Sequence, residues 1–265
     1  MSNLVYNGHA QAQHTLFTSS ALGNGLLSTR QGVPFAGCSG FVLVGPDISL
    51  PAGITLNPPS AVGAYWDTLA GGGRPLVTFT TDANFAWKRG HLVNGEWSGP
   101  GNTWNNLTPL TPTANGNHKT VEQYMRAFCL ASLAYDVGPG GYKANWYAIA
   151  YLVQCAVNPW SVAPANADLY SYAPEFIKVS WRAVTVAKPN LQPANIPGYL
   201  NGPLVFGGVL ALPFVPPVRP LAIAGAVVPV VGNAAGGAVY GAPVGVVYPG
   251  AQANGFDGDI EVHQN

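Results

Sequence analysis

The residues that could do chemistry lie between Lys88 and Arg126, in the run KRGHLVNGEWSGPGNTWNNLTPLTPTANGNHKTVEQYMR. The imidazole of His91 titrates near neutrality and can take a proton from water at physiological pH. The side-chain carbonyl of Asn115 is a neutral, hard oxygen suited to a divalent cation such as Mg²⁺. Arg89 and Arg126 carry planar cationic forks that match a phosphate oxyanion, and Glu122 adds a carboxylate. A base, a metal ligand and a phosphate clamp are the parts that metal-assisted phosphodiester hydrolysis requires.

These groups need a strand, a loop and a helix to hold them. A strand over 84–93 delivers Arg89-Gly90-His91, and Asn94–Gly101 (NGEWSGPG) is loop material punctuated by Gly and Pro. An Asn-rich turn then opens a helix, because Val121, Met125, Phe128, Ser132 and Tyr135 recur at spacings of three and four. Asn115 or Asn117 is the expected cap, and Gly138-Pro139-Gly140-Gly141 the expected stop. Around this centre, Phe41–Val44 and Leu76–Thr80 read as strands. Tyr142–Val157 and Phe176–Ala187 read as a strand pair in which Ile177, Val179 and Trp181 share a face. After Pro189 the composition shifts to Ala, Val, Pro and Gly, with no charge between Pro220 and Phe256. That stretch reads either as a poorly ordered insert or as short apolar strands packed on the body. The alternation of FDGDIEVHQN suggests a closing strand.

Charged residues are 8% of the 265-residue chain, with 11 basic against 11 acidic, which excludes a broadly basic nucleic-acid coat and an acidic disordered chain. Gly (33) and Pro (24) favour strands and turns over a helical bundle. The small basic excess lies in 88–188, eight basic to five acidic, the segment that holds the candidate site. The first thirty residues lack a basic start followed by an apolar stretch. Cytoplasmic synthesis is therefore expected, and any export would use a route other than the general secretory signal. Six prolines and Arg219 within 203–232 exclude a membrane-spanning helix there. Cys38, Cys129 and Cys155 form no paired motif and read as packing thiols. The tryptophans read as packing residues, and Gly71-Gly72-Gly73-Arg74 lacks the Lys-Ser/Thr of a phosphate loop.

The run from Lys88 to Arg126 resembles the DNA/RNA non-specific endonucleases of the ββα-metal (His-Me finger) class. Arg89, Gly90 and His91 match the strand motif, Asn106-Leu107-Thr108-Pro109 with Asn115 matches the turn, and Glu122 and Arg126 match the helix positions once one residue is deleted before Glu122. The loop Gly99-Pro100-Gly101-Asn102 and the pair Asn117-His118 are similar to a bacterial toxin branch. The resemblance implies His91 as general base, Asn115 as the direct Mg²⁺ ligand, Glu122 as orienter of metal-bound water, and Arg89 and Arg126 as phosphate contacts. It departs at Lys88, where the family commonly carries an acidic residue.

The resulting expectation is an α+β fold with a ββα-metal nuclease-like centre and flanking antiparallel strands. Its expected divisions are a nuclease-like domain over 1–200, a Gly/Pro/Ala/Val-rich segment over 201–255 and a closing strand over 256–265. The expected partners are DNA or RNA, with an immunity or delivery-apparatus protein if the chain is an effector toxin. A nuclease fold kept for binding or structure without hydrolysis is the alternative, favoured by Lys88 and the low charge. A third reading makes the apolar C-terminal segment an interaction surface for a carrier or a delivery apparatus. Each candidate residue also has a structural role open to it. His91 could be a satisfied strand-end residue, Asn115 a cap, and Glu122 with Arg126 a solvated i,i+4 pair. A zinc site from His118, Glu122 and Cys129 is disfavoured because no second cluster supplies partners.

Overall fold

Alternating β-branched, aromatic and small residues run here as antiparallel strands, and the one sustained 3.6-residue periodicity is a helix. The computed structural model describes residues 27–30, 33–45, 88–97, 99, 101, 106–140, 143–156, 174–187, 206–218, 226–227 and 254–264. In chain order they form β1 (Leu27–Arg30), β2 (Val33–Gly37), β3 (Ser39–Val44), β4 (Lys88–His91), a short 3₁₀ turn (Gly95–Trp97), β5 (Leu107–Leu110), α1 (Pro112–Val137), β6 (Asn145–Cys155), β7 (Phe176–Ala187), β8 (Phe206–Gly208), β9 (Ala226–Val227) and β10 (Gly258–His263). The fold is α+β. The sheet runs β3-β6-β7-β10-β9, with β8 also paired to β7, and its pairings are antiparallel. Two hairpins, β1–β2 and β4–β5, stand beside it. Leu76–Thr80, read as a strand, lies outside the described residues, as do residues 84–87 of the strand read over 84–93.

The two-residue period of β6 sorts its side chains between two apolar layers. Ile149, Tyr151 and Val153 face α1 in the main core, with Ile177, Val179, Trp181 and Ala183 of β7 beside them. Trp146 and Ala148 point the other way, against Leu43, Val184 and Val186. From α1 the main core takes Val121, Tyr124, Met125, Phe128 and Cys129, and from β10 Ile260 and Val262. Polar ties fix the layers: Ser132 Oγ donates to Tyr147 O at 2.7 Å, and Trp181 Nε1 donates to Phe256 O at 2.7 Å.

The helix starts earlier than its apolar spacing indicates. Thr111 is the N-cap, its Oγ1 accepting from Ala114 N at 3.1 Å, and Pro112 occupies the first helical position. A fixed φ and no N–H suit proline to that place, so Thr-Pro takes the start from Asn115 and Asn117, which lie inside the helix. The expected stop holds at Gly138, where Lys143 Nζ donates to the carbonyls of Gly138 and Pro139 at 3.2 and 3.1 Å. Among the described residues no helix is long and apolar enough to cross a membrane.

Candidate functional site

The site is built on the succession β4, β5, α1. The hairpin register sets Arg89 opposite Pro109, Gly90 opposite Thr108 and His91 opposite Leu107. A Cβ on Gly90 would lie only 2.3 Å from Leu110 Cδ1, so glycine here lets the two strands close over a packed leucine. Beyond His91 the ladder continues from Leu92 N to Asn106 O at 2.8 Å. Asn106 then extends it with its side chain. Its Oδ1 accepts from Val93 N and its Nδ2 donates to Val93 O, both at 2.9 Å, in a fully buried setting. One amide thus mimics a strand residue and closes the base of the loop between the strands. Gly99 is needed at the same place, since a Cβ there would meet Val93 O at 1.8 Å.

Asn94 then turns the loop onto the helix. Its Oδ1 accepts from Glu96 N at 2.8 Å, and its carbonyl accepts from Trp97 N and Gly99 N at 2.9 and 3.0 Å. Its Nδ2 donates to Glu122 Oε2 at 2.7 Å. One helical turn further on, Arg126 Nη1 lies 3.1 Å from Glu96 Oε2. Loop and helix are therefore stitched at two successive turns of α1. The alternative of a solvated Glu122–Arg126 pair does not form: Glu122 is only 9% exposed, and both residues reach across to the loop.

Asn115, His118, Glu122 and Arg126 fall on one stripe of α1 by their three- and four-residue spacing. His118 is buried, with Nε2 2.7 Å from the hydroxyl of Tyr151 on β6. Trp97 meets the same Tyr151 edge-on at 5.0 Å. Burial first, and then the charge of His91, lower the pKa of His118 to about 3. Burial raises that of Glu122 to about 8, with Glu96 adding to the rise and the Asn94 bond opposing it. Burial and Glu122 also hold the Tyr151 phenol well above its ordinary range. The 3.9 Å approach of His118 Nε2 to Glu122 Oε1 has the geometry of an ion pair, but burial keeps both groups neutral at pH 7.

His91 ends β4 half-buried, close enough for its charge to act on His118, and Arg89 shares its strand face two residues earlier. Asn115 is half-buried in the second turn of α1, its N–H bonded to Thr111 O. Among the described residues its side chain has no hydrogen-bond partner, so its carbonyl is uncommitted within that set. The fit to Mg²⁺ is thus an uncommitted hard oxygen at Asn115, with a buried carboxyl two turns along the same stripe. Among the described residues no three of His, Cys, Asp and Glu gather as a metal-holding group, and the zinc arrangement with Cys129 does not form there. The sequence reading missed Asn94, Tyr151 and the buried Gln264, whose Oε1 accepts from Thr111 N and whose Nε2 donates to Pro109 O, both at 2.8 Å. Asn94 stood in plain view before a Gly-Glu turn, but Gln264 left no local signal. Known protein families, curated proteins and solved structures offer no match to this chain.

Proposed function

We propose that the chain is a divalent-cation-dependent endonuclease that cleaves the phosphodiester backbone of DNA or RNA with little sequence preference, in the manner of a bacterial effector toxin. The observation that carries this reading is the β4–β5–α1 succession. It supports a histidine at the strand end and an uncommitted asparagine on the facing helix, in the order the motif residues suggest. In this reading His91 takes the proton of the attacking water. Arg89 and Arg126 hold non-bridging phosphate oxygens through their forks. Asn115 would hold the cation and Glu122 would orient its water. The cation, when bound, supplies positive charge for the leaving oxygen and the crowded phosphorus.

One observation favours the second reading, a nuclease-like fold that binds without hydrolysing. Glu122 accepts from Asn94 Nδ2 and burial keeps it protonated at neutral pH, a hydrogen-bonded acid in place of the carboxylate that would orient metal-bound water. The test is degradation of plasmid DNA and total RNA by purified protein with Mg²⁺ and with a chelator. Chelator-sensitive cutting that His91→Ala abolishes, in a protein that still folds, supports the endonuclease. Undiminished cutting by His91→Ala removes the mechanism. Absence of cutting together with retention of a labelled oligonucleotide supports the binding module.

A further inference from the structure

Away from the hairpin, two cysteines meet across the sheet. The β3–β6 register pairs Ser39 with Gln154 and Gly40 with Val153. Continued by one residue, it sets Cys38 directly opposite Cys155, and the bond from Cys155 N to Cys38 O at 2.8 Å fixes that pairing. Residues directly opposite in an antiparallel pair have Cα atoms about 4.5 or 5.5 Å apart and point to the same face. A disulfide accepts Cα separations of about 4.4–6.8 Å. Both cysteines are half-buried, whereas Cys129 is buried in the core. Cys155 Sγ lies 3.4 Å from Gly37 O, the residue before Cys38, so its thiol is directed at the corner where Cys38 sits. Cys38 is the single residue between β2 and β3, a place where the backbone can adjust to a cross-link.

We propose that Cys38 and Cys155 form a dithiol that closes to a cross-strand disulfide when a low-molecular-weight disulfide such as oxidised glutathione is supplied. The thiolate of one cysteine attacks the small disulfide, forming a mixed disulfide and releasing one glutathione thiol. The thiolate of the other attacks the protein sulfur of that bond and releases the second. The two protein thiols lose two protons and two electrons, and the small disulfide takes up both. The cross-link ties the edge strand β3 to β6 beside the site hairpin, because Cys155 Sγ also lies 3.7 Å from Thr108 Oγ1 of β5. It closes a long loop of chain, the case in which a disulfide most restricts the unfolded state.

The full chain is incubated folded with oxidised glutathione, and the intact mass and proteolytic peptides are measured. The expected product has lost two hydrogens, carries no glutathione, and yields a peptide linking Cys38 to Cys155. Its Tm rises by several degrees and returns on reduction. Cys129→Ser gives the same product, while Cys38→Ser and Cys155→Ser each stop at a single stable glutathione adduct. Stable adducts on the wild type without loss of two hydrogens overturn the proposal. So does a link through Cys129, a link between two molecules, or no reaction at all. None of these readouts depends on nucleic-acid cleavage.

Discussion

The two halves of α1 are built on opposite principles. The C-terminal half is an ordinary core helix. Phe128 stacks on Phe256 with centroids 4.0 Å apart, and Phe214 closes the cluster against Phe128, Tyr135 and Tyr147. The N-terminal half buries Asn117, His118 and Glu122 beside its apolar Ala114, Val121 and Tyr124, with His118 against Tyr151 of β6 and Glu122 against Asn94 of the loop. Burying ionisable groups that must then stay neutral costs free energy that an apolar stripe would not. The buried ionisable groups of this helix thus lie in its N-terminal half, the half that carries the proposed site.

The comparison breaks hardest at Phe128. Phe128→Ala should destabilise the protein by about 3–5 kcal/mol, because a fully buried ring leaves a cavity between α1 and Phe256. Cleavage by the surviving folded protein should be unchanged, as measured by urea unfolding beside the nuclease rate. A large loss of rate at full folding would mean that the two halves are not separable.

Asn115→Ala should do the converse. As the proposed cation ligand, its loss should lower the Mg²⁺-dependent rate by about 100-fold or more, with little change in stability. The cap is Thr111, so Thr111→Ala is the matched control. It should cost about 1 kcal/mol of stability and leave the rate intact. Normal cleavage by Asn115→Ala would return that residue to a structural role.

The smallest expected effect is a slope with pH. Folded Glu122 keeps its proton to about pH 8, against an ordinary value of 4.5, so the folded state binds more protons over that interval and stability falls as pH rises through it. His118 does the reverse. Its pKa drops from 6.5 to about 3, so the unfolded chain binds the extra proton and stability falls as pH drops from 6.5 toward 3. The two slopes oppose between 4.5 and 6.5, and a plateau there with a decline on either side is the expected curve. Glu122→Gln should flatten the alkaline decline and spare the acid one, read from urea midpoints across pH. A wild-type curve that climbs from 6.5 to 8 would contradict the burial of Glu122.

Local pattern carried much of the fold. Val121, Met125 and Phe128 marked the buried face of α1, and the β-branched runs marked β6 and β7, because a periodic apolar face is written in consecutive residues. The cap is less legible, because two asparagines stand beside the apolar run while Thr111-Pro112 carries the stronger geometric signal one turn earlier. At the site, residue types named His91, Asn115 and Glu122 as candidates but not what surrounds them. Asn94 meets Glu122 across 28 positions, and Gln264 meets Thr111 across 153. No spacing rule reaches that far. The inward turn of Glu122 likewise depends on a loop partner and not on its neighbours in the helix.

The Gln264 contact sets a clock on the corner between β5 and α1. Thr111 N and Pro109 O receive their partner from a side chain 153 and 155 positions later. At a synthesis rate of about 5–20 residues per second, roughly 8–30 s separate the addition of Thr111 to the chain from the addition of Gln264 that joins it. Throughout that interval the hairpin and the start of the helix lack the tie that fixes their angle. Nascent chains therefore carry every candidate site residue long before they carry the finished corner.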